Sequence, residues 1–185
     1  MTDAEKILEG QVRECYGRLV YTHKTHEKCA DILFKYHKRI KIGQITLSAL
    51  VTGGILSTLF EPWKVVAIAI SAVLSTGLLA LNSYTKDYDL GEIAQKHRRA
   101  GADLWIIREK YLSLLTDIRI GGASLDDFCV RRDQLADELH AIYTGAPSTN
   151  FKAYKAAQKA LKELDDMTFS EEEIDAFLPK ELKRK

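Results

Sequence analysis

No aspartate, glutamate, lysine or arginine occurs between residues 42 and 60, and none between residues 65 and 85. A helix packed on a soluble core needs a polar stripe facing water; neither segment has charges to build one. Cysteine is also sparse. Cys15, Cys29 and Cys129 are an odd number, scattered and without a CxxC pair, which fits reduced thiols facing the cytosol better than a disulfide framework. The opening MTDAEKILEGQVREC contains no apolar core of the kind a cleavable signal peptide requires. There is no P-loop, no dinucleotide-binding glycine fingerprint and no HExxH, and no Cys or His has an orienting partner in sequence for a catalytic dyad. Enzymatic activity and a cofactor are therefore not expected. His23, His26 and Cys29 are spaced by three, but i and i+6 on one helix point well apart, so no metal site is expected. A net charge of +1 makes no global case for nucleic-acid binding, and duplex DNA is not expected as a partner.

What the uncharged segments offer is length. A bilayer core of about 30 Å is crossed by about 20 mostly apolar helical residues. Residues 42–60 and 65–83 are each near that length and are joined by a turn at 61–64, EPWK. Pro62 suits the first position of a second helix, where its missing N–H would be unsatisfied anyway, and Trp63 is an interfacial anchor type. Lys35, Lys38, Arg39 and Lys41 precede the first span; Lys86, Lys96, Arg98 and Arg99 follow the second; the turn has only Lys64. By the positive-inside rule both termini face the cytoplasm. Residues 42–83 read as a transmembrane hairpin.

Inside it, Ala67, Ser71 and Ser75 recur every four residues, a small-residue spacing that lets two helix backbones approach. Thr46, Gly53 and Ser57 share a face of the first span. Opposite them Gln44, Ser48 and Thr52 form a polar arc that another protomer or water is expected to satisfy. Two readings stay open for that arc: helix–helix hydrogen bonding, or the lining of a pore assembled from several hairpins. No charge lies within a span, which argues against an ion-coupled transporter.

Outside the hairpin the chain reads as helix throughout, with no segment alternating like a strand. The N-terminal stretch, residues 1–41, carries a heptad seam from Leu8 through Val12, Cys15, Leu19, Thr22, His26, Cys29, Leu33 and Tyr36 to Ile40. The rhythm returns after the second span, in a helix expected to continue from it over 84–120: Leu90, Ile93, His97, Ala100, Leu104, Ile107, Tyr111, Leu114 and Ile118. Two such seams should pack as an antiparallel pair. Gly121 and Gly122 end the second, and Ser124 with Asp127 resembles a capping box opening a helix to about residue 143, stopped by Gly145 and Pro147. Further helices are expected over about 150–166 and after Ser170, completing a C-terminal region at 124–185. The expected fold is an all-α membrane protein: a two-helix transmembrane hairpin with a cytosolic, heptad-patterned bundle, assembling as a homo-oligomer.

Basic residues gather locally: Arg98 and Arg99 in QKHRRAG, Arg108 and Lys110 in IREKY, with Trp105 and Tyr111 beside them. Arginine chelates phosphate bidentately and aromatic rings stack on bases, so these six are the candidate nucleotide-binding residues; a solvated, membrane-anchoring face is the plainer alternative for each basic residue. The layout as a whole, with "HRRAGADLWIIREKYLSLLTDI" and "ELHAIYTGAPSTNFKAYKAA" after the hairpin, resembles the SLATT domain, the two-helix membrane effectors associated with SMODS and SLOG proteins, over residues 5–165. The resemblance rests on architecture more than on signature residues. It implies an inner-membrane antiphage effector, encoded beside a nucleotide-making partner. Such an effector would assemble or open a pore when a nucleotide or oligonucleotide signal changes, depolarising the cell and arresting growth. It carries no catalytic residues to place. A non-conducting scaffold anchored in the membrane is the second reading, and a holin-like lysis protein the third.

Overall fold

The computed structural model describes residues 2–59 and 63–184. Every regular element among them is helical: α1 Asp3–Ser57, α2 Lys64–Asp87, α3 Leu90–Ile120, α4 Leu125–Gly145, α5 Phe151–Glu163 and α6 Glu171–Phe177, followed by a single 3-10 turn. The heptad stretch and the first span are one unbroken helix of 55 residues, about 80 Å long at 1.5 Å per residue. Glu61 and Pro62 of the expected 61–64 turn lie outside the described residues; Trp63 precedes α2 and is exposed. The expected fold class is the one observed: all helix, with two helices long and apolar enough to cross a membrane.

The helices group into two units, residues 1–28 with 100–185, and residues 29–99. In the first unit the seam of α1 (Leu8, Val12, Leu19) buries against that of α3 (Leu104, Ile107, Tyr111, Leu114, Ile118), and α4 adds Phe128 and Leu135. Contacts between Glu9 and Arg119 at one end and His23 and Arg108 at the other show α1 and α3 running antiparallel, as the paired seams require. Gly121 takes φ +73 where α3 ends, a left-handed conformation that favours glycine. Ser124 then opens α4 with the expected reciprocal box: its Oγ accepts from the Asp127 amide at 3.2 Å while Asp127 Oδ2 accepts from the Ser124 amide at 3.2 Å. Ser124 Oγ also donates to Asp127 Oδ2 at 2.7 Å, and this bond, then the one from the Ser124 amide, holds the Asp127 carboxyl below its ordinary range. The fully buried residues of α5 are all alanines, Ala153, Ala157 and Ala160, and Tyr154 beside them meets the Tyr21 ring of α1 at 6.1 Å between centroids.

The second unit is the hairpin with the membrane-proximal turns of α1 and α3. Partly buried positions recur in steps of three and four on both spans: Gln44, Leu47, Val51 and Gly54 on α1, Leu74, Leu78, Leu81 and Thr85 on α2 beyond the buried Ala67 and Ser71. The outer faces, including Ile45, Leu50, Ile55, Val65, Ile68 and Val73, are exposed apolar side chains suited to lipid. Of the expected small-residue stripe, Ala67 and Ser71 pack and Ser75 is exposed. The glycine that meets them is Gly54: a Cβ there would collide with Ser71 Oγ, whereas Gly53 faces open space. α2 also does not run on into α3 as expected. The helix breaks at Tyr88, and Asp89 Oδ1 accepts from the amides of Gly91 at 2.8 Å and Glu92 at 3.0 Å, which starts α3 afresh. An aspartate at this position offers the new helix an acceptor that a continuing helix would leave unused.

Candidate functional site

Of the six expected nucleotide-binding residues, Trp105, Arg108, Lys110 and Tyr111 lie in the first unit and do not share one surface. Tyr111 is a core residue at 1% exposure, packed with Cys15; burial, then its interaction with Cys15, raises its phenol to about 12. It cannot stack on a base from there, which corrects the expectation. A heptad-seam position decided this over aromatic character. Trp105 is half exposed and Lys110 lies on the same α3–α4 groove, a cleft of about 470 Å³ that also receives Asp117, Arg131 and Glu138. The groove's cations are matched: Lys110 Nζ is 2.6 Å from Glu138 and Arg131 is 2.8 Å from Asp117. Arg108 turns away from it. Its guanidinium reaches Glu109 at 2.7 Å, His23 Nδ1 at 3.5 Å and Met167 Sδ at 3.7 Å. Arg98 and Arg99 belong to the other unit, where Arg98 pairs with Asp31 at 3.2 Å and lies over the Phe34 ring, and Arg99 is exposed.

A second groove, between α1 and α3, holds about 500 Å³ and is lined by Glu9, Arg13, Tyr16, Leu115, Thr116 and Arg119. Arg119 donates twice to Glu9 Oε1, from Nε and Nη2, each at 2.9 Å, and Arg13 stands 3.7 Å from the same oxygen. The carboxylate is nearly buried, while both guanidinium side chains are 64% exposed. Two arginines therefore share one carboxylate beside an aromatic wall, so this groove keeps an unmatched positive charge that the first does not. Sequence reading missed it because its cations are more than a hundred residues apart. The available signal was Glu9 and Arg13 at i and i+4 on a seam helix.

Where α1 meets α3 and the segment after α5, the same unit buries charge. Lys24 Nζ lies 2.8 Å from Asp166 and 2.9 Å from Glu27, at 9% side-chain exposure. Burial opposes its charge, but Asp166 and Glu27 hold the ammonium above its ordinary value. Asp165 and Met167 on either side of Asp166 both take positive φ, 47° and 75°, costly for side-chain-bearing residues and retained only where contacts enforce them. Burial pushes the neighbouring His23 below the ordinary histidine value; Glu27 opposes that, and the Arg108 and Lys24 charges add to it. A depressed folded pKa means that the unfolded chain binds the proton more tightly. The stability His23 contributes is thus present above about pH 6.5 and lost as pH falls through the lower folded value. Burial lowers His97 in the other unit likewise. Thermal melts in detergent should show a lower midpoint at pH 5 than at pH 7.5, with a smaller drop in His23→Gln. An unchanged drop in that variant would place the acid sensitivity elsewhere.

In the hairpin, Gln44 does not await an outside partner. Its Nε2 donates to Asn82 Oδ1 at 2.8 Å and Thr85 Oγ1 at 3.0 Å on the facing helix, and Thr52 donates to the Ser48 carbonyl at 3.0 Å. The expected arc is therefore satisfied in part within one chain, because the antiparallel hairpin brings Asn82 and Thr85 level with Gln44. Ser48 and Thr52 remain exposed. Ser71 Oγ is buried without a hydrogen-bond partner among the described residues. Among the same residues, no group of three or more His, Cys, Asp or Glu side chains converges as a metal would need.

No curated protein and no solved structure matches the chain. The family model that matches does so over residues 8–173, nearly the whole length, including both spans and the helices on either side of them. It describes a two-transmembrane effector domain, a membrane effector type associated with defence systems and not known as enzymatic. With its two apolar membrane-length helices and this match, the chain belongs to the SMODS and SLOG-associating 2TM effector domain family, as a member of family 4.

Proposed function

We propose that this membrane effector assembles as a homo-oligomer in the bacterial inner membrane, both termini cytoplasmic, and conducts when a nucleotide or oligonucleotide signal changes. Depolarisation and growth arrest or death would follow. The observation that carries this reading is the pairing of an uncharged hairpin with an unmatched arginine groove on a separate helical unit. Ser48 and Thr52 are polar side chains on one arc of the first span that the hairpin leaves exposed, and a pore is where they would face. Gln44 acts instead as a clamp between the two spans. The phosphate of the ligand is read at Arg13 and Arg119, since arginine presents paired donors that match phosphate oxygens, and Tyr16 gives a flat wall beside them.

Gating is a population shift: the ligand must bind one arrangement more tightly than the other. Turning a nearly closed ensemble into a nearly open one takes about 5 kcal/mol of differential binding, within reach of phosphate contacts repeated around an oligomer. Ion flux from liposomes containing the protein, with and without the nucleotide product of a neighbouring synthase, tests it. Flux should switch with ligand in either direction, Arg13→Glu should abolish the response, and Lys110→Glu should keep it. Ser48→Leu with Thr52→Leu should remove conductance altogether. Vesicles that stay tight under all conditions, with the protein inserted and oligomeric, would leave the scaffold reading in its place.

A further inference from the structure

α5 and α6 carry opposite charge on exposed surfaces. α5 has four lysines against one glutamate, Lys152, Lys155, Lys159 and Lys162, all exposed. Their steps of three, four and three place them along one stripe of the helix, away from the buried alanines. Beside the stripe stands Phe151, 69% exposed, with Lys155 Nζ 4.8 Å from its ring centroid. α6 is the complement. In seven residues it carries Glu171, Glu172, Glu173 and Asp175, buries nothing, and leaves Phe177 81% exposed. A capped helix with an acidic face, an apolar edge and no packed side is built to lie against something. Within its own chain Glu173 closes the capping box with Ser170 and Glu171 pairs with Arg184.

We propose that the lysine stripe of α5 docks the acidic α6 of a second copy of this chain. Glu172 meets the stripe first, Glu171 joins by exchanging Arg184 for a lysine, and Phe177 packs beside Phe151 at the edge. The two surfaces differ, so the contact is heterologous: each copy gives α6 to one neighbour and takes α6 from another, which closes into a ring where the rotation permits. Such a contact weakens with salt, because exposed pairs are screened beyond a Debye length of about 8 Å at physiological ionic strength. It holds whether or not the assembly conducts.

The test mixes isotopically heavy and light full-length chains in uncharged detergent micelles and joins touching lysine and carboxylate side chains with a carbodiimide. Peptides linking Lys155, Lys159 or Lys162 to Glu171 or Glu172 should pair one heavy with one light segment, and 0.5 M salt should diminish them. Lys155→Glu with Lys159→Glu should abolish these links and weaken association about tenfold or more, from lost pairs and new like-charge contacts. Links confined to a single isotope overturn the proposal, as does a charge-reversed variant that associates like wild type. Protection of the lysines by phosphatidylglycerol vesicles or a short oligonucleotide, without mixed-isotope links, assigns the stripe to that anion instead. Flux lost with the links intact sinks the pore reading alone; links lost with flux intact sinks this contact alone.

Discussion

Phe128→Ala is expected to cost about 3–5 kcal/mol, the range for truncating a fully buried phenylalanine. Phe128 has 0% exposure in the cluster where α1, α3 and α4 converge. Domains are held by about 5–15 kcal/mol in all, so one such loss takes a large share of the stability of the 1–28 and 100–185 unit. The hairpin has its own contacts and should remain inserted. Hydrogen exchange on protein in micelles measures this directly. Amides of α4 and of the α3 segment after residue 100 should lose protection, while those of α2 keep it. If that unit gates a pore, the same variant should leave liposome flux indifferent to the nucleotide. Protection lost equally in both units would show that they unfold as one body.

Gly54→Ile should break the hairpin, whereas Gly54→Ala should cost little. The first atom a new Cβ would meet is the Ser71 hydroxyl, with Ser71 Cβ 3.6 Å and the Ala67 carbonyl 4.0 Å away. A hydroxyl can rotate, and a serine in a helix has the carbonyl four residues back as an alternative acceptor, so alanine is accommodated and Ser71 gains a partner. Isoleucine brings branches that must displace the facing backbone, an overpacking cost of about 1–3 kcal/mol or more. Membrane helices gain little from apolar association in lipid and depend on close packing; a gap at Gly54 therefore spreads along the spans. Cross-linking yield between cysteines introduced at the membrane ends of α1 and α2 reads the separation. Yield should fall severalfold in Gly54→Ile, remain near wild type in Gly54→Ala, and be unaffected by Gly53→Ala, since Gly53 meets nothing. Equal loss at Gly53 and Gly54 would put the packing face elsewhere.

Composition and periodicity alone determined the helical class, the two spans, the seams and the Ser124 cap. Each depends on neighbours within a few residues in sequence: an uncharged run, a three-and-four rhythm, a hydroxyl three positions before an acceptor. The seams placed Leu104, Ile107, Leu114 and Ile118 in the core as observed, and Tyr111, on the same seam, is buried with them. Only the tertiary structure decided between Gly53 and Gly54, because both are small and point about 100° apart on the helix, and which direction faces Ser71 depends on how the two spans are rotated against each other. It alone found Asn82 and Thr85 for Gln44, and Glu9 between Arg13 and Arg119, since ion pairs and hydrogen bonds across helices depend on register that no local pattern encodes. The break at Tyr88 has a local signal in Asp89, an acceptor placed to open the helix that begins at Leu90. Chemistry-bearing side chains are exposed to this ambiguity more than core ones. A leucine's place follows from its period, whereas an arginine's role follows from which carboxylate the fold happens to set beside it.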